Sequence, residues 1–343
     1  YERHGETNSL QVLLERAAND ARRALHTGRF DPAFFDVLAS VAEIRGNTEA
    51  ARVAQATVAA LAGDPATLDG AGPAAGDASL DDLLAPDLIT LPLRVLLRQA
   101  GARLDHAFPF DTRAVRASPL PPDLAGYSEH ANQVAQAFGL GEVEVLVTGA
   151  LGPVCIPSQA APGQLVFGQA LLESGDDAAR FFLLLRNLKI LQANGAAIAR
   201  AAPIDLLPMV GAFLHTLCPT WSPTGVDARR LEEHKQRLGG QLSAAEDPDV
   251  AALAMEVAGS LGARASQLGI AIHQWGNRAA LLAIGDLDTA LRAVAMAQGH
   301  ASGPPPSGME RMKWITRNPE ARDLAVFSVS EAYAEARQRL GLG

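Results

Sequence analysis

The chain has 343 residues, 48% of them hydrophobic and 20% charged, enough for one large or two ordinary domains with buried cores. A formal net charge of -9 leaves no basic footprint for nucleic acid or an anionic membrane surface. No uncharged apolar run reaches the roughly 18 residues of a membrane span, so no span is expected.

Cys155 and Cys218 are the only cysteines, too few and too distant for a disulfide framework, and they point to a reducing, cytoplasmic setting. The first ten residues, YERHGETNSL, contain neither an initiator Met nor the apolar core of a signal peptide. The expectation is the C-terminal part of a longer protein. High Ala, Gly, Leu and Arg usage suggests a GC-rich bacterial genome.

Apolar residues recur at helical spacing over Ser9–Leu25, and Asp31-Pro32 then offers an N-cap followed by proline at the first helical position. Helices are expected over Pro32–Arg45 and Thr48–Ala62, turning at Gly46-Asn47. Two antiparallel helices joined by a short glycine turn, with small residues where they touch, resemble a tetratricopeptide-type repeat over residues 1–63. That resemblance implies a surface for a protein partner. Residues 64–79, rich in Gly, Ala, Pro and Asp, read as an exposed linker.

The remaining chain, 80–343, reads as a second domain. Helix patterns cover Leu91–His106 and Tyr127–Phe138. Three strands follow: Glu142–Thr148 with clean polar–apolar alternation, Pro153–Pro157 at a proline-flanked edge, and Gln164–Gly168. Next comes Asp176–Gln192, apolar on nearly all sides and therefore expected to be buried, yet interrupted by Arg186, Asn187 and Lys189. Further helices are expected over Ile204–Leu217, Asp227–Leu242, Asp249–His273, Gly276–Ala297 and Ala325–Leu340, the last with Ser330 as a candidate N-cap, and a loop over Ala301–Gly308. The fold class is mainly α (α+β): a helical hairpin, then a small antiparallel sheet packed on a buried helix with several further helices.

The order of elements and two motif tails resemble the gluzincin-type HExxH metallopeptidases of the heat-shock and prenyl-protease group. Phe167–Glu173 (FGQALLE) followed by Asp176-Asp177 is similar to that family's approach to its active-site helix, and His273–Leu282 (HQWGNRAALL) to the segment carrying its third zinc ligand. The resemblance implies a zincin-like fold over 80–343. It also implies a site whose chemistry is gone. A zinc peptidase needs two imidazoles one helical turn apart and a carboxylate to activate water. Arg186, Asn187 and Ile190 stand at those three positions, His273 replaces the third-ligand Glu, and Asn277 replaces the Asp. No metal, no cofactor and no catalysis are expected.

Two roles are open for the polar residues of this helix. Arg186 or Lys189 fills the vacated site by pairing with a carboxylate or helix carbonyls. Alternatively, with Trp275 and Trp221, they line a residual cleft for an anion or peptide. The sequence thus reads as a non-catalytic, protein-binding scaffold with an unidentified protein partner. The alternatives are a metal-dependent hydrolase with an unrecognised site around His273 and a small-ligand or peptide sensor using the cleft.

Overall fold

The computed structural model describes residues 4–28, 30–64, 66–240, 248–300 and 303–342, and is mainly helical with one small four-stranded sheet. The last two residues of the helix expected over Asp227–Leu242 and the start of the loop at Ala301 lie outside the described residues. Two compact units emerge, residues 1–75 with 280–343, and residues 76–279. This grouping differs from the single domain expected over 80–343, in that the last 64 residues cluster with the N-terminal helices.

The first unit opens with α1 (His4–His26), α2 (Pro32–Ile44) and α3 (Thr48–Ala62). Asp31 caps α2 by accepting from the Ala33 N–H, and Asn47 caps α3 by accepting from the Ala50 N–H, each at 3.0 Å. These bonds satisfy N–H groups that the first helical turn cannot pair. Residues 64–79 are not the free linker their composition suggests. The Leu68 and Ala71 N–H groups donate to the Gly285 and Leu282 carbonyls, both at 3.0 Å, and Leu68 and Ala75 are buried. Gly70 lies so close to residue 283 that an added Cβ would stand 2.2 Å from the Ala283 carbonyl oxygen.

In the second unit short helices α4 (Asp81–Leu84), α5 (Leu91–Leu96) and α6 (Ala102–Ala107) precede α7 (Ala125–Ala137). The sheet has the order β1-β2-β4-β3, with β1 at Ser118–Pro119, β2 at Val143–Thr148, β3 at Cys155–Ser158 and β4 at Gly163–Gly168. The antiparallel sheet expected from the sequence is in fact mixed. β2 and β4 are parallel, in register from Val143 opposite Gly163 to Thr148 opposite Gly168, while β1 and β3 are antiparallel to their neighbours. β3 sits at the edge, as its prolines require.

Beyond α8 (Gln169–Leu172), α9 (Asp177–Gln192) is capped by Asp176, whose carboxylate accepts from the Ala179 N–H at 3.0 Å. Every side chain from Phe182 to Leu191 is buried, and the helix packs against β3. Then come α10 (Ala196–Arg200), α11 (Pro203–Leu217), α12 (Ala228–Gly239), α13 (Pro248–Leu261) and α14 (Leu268–Ile284). The long helix expected over Asp249–His273 breaks at Gly262, which adopts a left-handed φ of 48°, and α14 runs straight through Trp275-Gly276.

The chain returns to the first unit with α15 (Leu287–Ala297), α16 (Gly308–Arg317), α17 (Pro319–Ser328) and α18 (Glu331–Arg339). Ser330 accepts from the Tyr333 N–H, so the cap is where the sequence places it, but it starts α18 and splits the single helix expected over Ala325–Leu340.

Candidate functional site

α9 and α14 cross closely at Gly276. Gly276 allows the approach: a Cβ there would lie 2.7 Å from the Arg186 carbonyl oxygen, 3.1 Å from its Cγ and 3.2 Å from Ile190 Cγ1. The structure thus brings Arg186 and Ile190 against the turn of α14 that carries Asn277, with the half-buried His273 one turn earlier on the same helix. Arg186, Asn187, Ile190 and Asn277 are all buried. The Asn187 amide donates to the Leu183 carbonyl at 2.7 Å, a bond within its own helix. Among the described residues, no group of three or more His, Cys, Asp or Glu side chains could hold a metal ion.

Cys155 on β3 faces this place. Burial pushes its thiol far up, against the opposing pull of the Arg186 guanidinium and a hydrogen bond with Asn187. A thiol held protonated is a poor nucleophile. Tyr127 on α7 is likewise pushed up by burial, and Arg180 lies 5.4 Å from its ring centroid.

Lys189 and Trp275 do not line an open cleft. Lys189 is 1% exposed, forms an ion pair with Asp81, donates to Gln192 Oε1 at 2.6 Å and lies 5.2 Å from the Trp275 ring centroid. Gln192 in turn donates to the Gly76 and Phe138 carbonyls, both at 2.7 Å. Burial lowers the ammonium's pKa and Asp81 opposes the shift. Such a buried pair holds its surroundings in one arrangement, because loss of either partner strands a charge at a cost of about 3–5 kcal/mol. Trp221 sits in the loop after α11, where its carbonyl meets His215 Nδ1 at 2.6 Å.

The open site lies in the first unit. A groove of about 950 Å3 runs between α1, α2, α3 and residues 328–338. Its floor is small and aliphatic, with Ala18, Leu38, Val41, Ala42, Val53 and Ala54. At one side Arg337, 1% exposed, donates to Glu49 Oε1 from Nε and Nη2 at 3.0 and 2.8 Å and to the Asp69 carbonyl at 2.8 Å. Arg22 of α1 pairs with Glu331 at 2.8 Å, while its buried Nε has no acceptor among the described residues. Arg45, exposed at the end of α2, also lines the groove, and its guanidinium has no partner among the described residues. Sequence reasoning points to α2 and α3 as a binding surface; it does not single out Arg22 and Arg45 in the same segment, where they read as ordinary surface charges, and it misses Arg337 because the far wall comes from the other end of the chain.

No protein-family model matches the chain, and no curated protein and no solved structure matches it.

Proposed function

We propose that this protein is a non-catalytic, protein-binding scaffold that presents the groove of its first unit to a polypeptide partner. The observation that carries the proposal is the groove itself: an aliphatic floor with arginines at its wall and rim, of a size that holds a short peptide segment. The second unit is a metallopeptidase-like domain whose chemistry has been lost, a reading supported by the close crossing of α9 and α14 at Arg186, Ile190 and Gly276. With Arg186, Asn187 and Ile190 in place of two imidazoles and a carboxylate, it serves as a docking or stability module. A bacterial cytoplasm is the expected setting. No helix among the described residues is long and apolar enough to cross a membrane.

Peptides selected from a displayed library against the intact protein test the reading. Ala50→Trp fills the groove from its half-buried wall position. Binding of the selected peptides is expected to fall at least about tenfold in this variant, since roughly 1.4 kcal/mol of contact is lost. Equal binding to both forms would remove the groove as the site. Stoichiometric zinc in the purified protein, lost in His273→Ala, would overturn the non-catalytic reading of the second unit.

A further inference from the structure

The groove has a candidate occupant in this chain's own sequence, an inference that rests on its being a protein-binding site. α1 has 23 residues and α2, joined to it by a short connection, has 13. At about 1.5 Å per residue α1 outruns its neighbour by about 15 Å. Its apolar stripe runs off the end of α2 accordingly: Ala18, Ala21 and Leu25 are buried, whereas Leu10 and Leu13 are 48% and 61% exposed.

The groove's acids are all engaged: Glu49 by Arg52 and Arg337, Glu331 by Arg22, and Glu335 by Arg339. What remains unspent and open to a second chain is donor capacity at the exposed Arg45. The occupant this favours is an aliphatic segment bearing a carboxylate. The overhanging turns of α1 have that composition, with Leu10, Leu13 and Leu14 followed by Glu15, an exposed acid without a partner among the described residues. Glu15, Ala18 and Arg22 are spaced i, i+3, i+7, so the overhang and the groove wall are successive parts of one helix face.

We propose that the groove takes the α1 overhang of a second copy of the chain. The exchange is reciprocal: two α1 helices lie antiparallel about a twofold axis, and Glu15 of each copy meets Arg45 of the other. Because overhang and groove wall belong to one helix, a single axis satisfies both contacts and the assembly closes as a dimer.

Sedimentation velocity on the 343-residue chain tests this. A reversible dimer is expected. Leu10→Glu combined with Leu13→Glu weakens it at least about a hundredfold, with no change in the circular dichroism spectrum because both residues are exposed in the monomer. Glu15→Arg and Arg45→Glu each weaken it roughly tenfold, and the two together restore it. A monomer at every concentration overturns the proposal, as does a dimer indifferent to the charge reversals or one that the paired reversal fails to rescue. A monomer that still binds library peptides in its groove refutes the dimer alone. A monomer that binds none refutes the groove reading with it.

Discussion

At the scale of single residues, the second unit keeps its polar groups in the states that burial permits. His234 on α12 lies with its ring 5.1 Å from Phe108, edge to face, and neither ring nitrogen has a hydrogen-bond partner among the described residues. Burial lowers its pKa from the usual histidine value, Asp205 and Glu233 pull upward, and Arg237 and Arg230 push downward. The fold therefore favours the neutral ring. For a group whose folded-state pKa is depressed, the contribution to stability is complete above the unfolded value of about 6.5 and is lost as pH falls through the folded value. Thermal melts between about pH 7.5 and about pH 5 are expected to show a loss in the native protein that His234→Phe reduces, since phenylalanine keeps the ring contact and cannot take a proton. An identical pH dependence in the two proteins would show that the ring is solvated.

At the scale of elements, the α9–α14 crossing depends on one missing side chain. In Gly276→Ala the new Cβ is set 2.7 Å from a backbone oxygen, which cannot yield as a flexible side chain does. Urea unfolding is expected to show a loss of about 1–3 kcal/mol. Gly259→Ala is the control: it lies on α13 with nothing within 4 Å of the added Cβ, so helix propensity alone gives a gain of up to about 1 kcal/mol. Equal effects at the two sites would contradict the close crossing. The elements themselves were largely legible, for local reasons. Asp31 and Ser330 each accept the backbone N–H that an N-cap should. α9 was legible as a buried helix because apolar residues surround it. Polar–apolar alternation marks β2, and a short apolar run marks β4, but neither says which neighbour the strand takes, so the parallel pairing was hidden. An alanine-rich pattern runs unbroken through Gly262, and only the left-handed backbone there ends α13. The groove was the least legible feature. Its wall joins Glu49 to Arg337 across 288 residues of sequence, and no periodicity encodes such a pairing.

At the scale of the whole molecule, the first unit is discontinuous, and its halves are joined by buried polar contacts as well as by packing. Arg311, 2% exposed, donates twice to the Ala60 carbonyl near the end of α3, at 3.0 and 2.8 Å, and pairs with Asp288 at 2.6 Å. That carbonyl, in the last turn of α3, also accepts from the capping Gly63 N–H at 3.2 Å, and Arg311 takes up its remaining acceptor capacity. Thr57 and Ser328 share a buried hydroxyl hydrogen bond at 2.9 Å. Arg337 closes the third tie through Glu49. A chain shortened by removal of residues 308–343 loses all three at once. It leaves Val53, Thr57 and Ala60, now buried, without α16 and α17, which pack on α3. A remnant of α1, α2, α3 and α15 with one face exposed has too little buried apolar area to offset the entropy of ordering it. Hydrogen exchange on the shortened chain is therefore expected to show α3 amides losing protection, with α9 amides as the internal reference. Protection of α3 at its original level would mean that the N-terminal hairpin folds alone, as an independent repeat does, and that the C-terminal helices only cover it. Loss of protection would mean that the groove is assembled only when both ends of the chain are present.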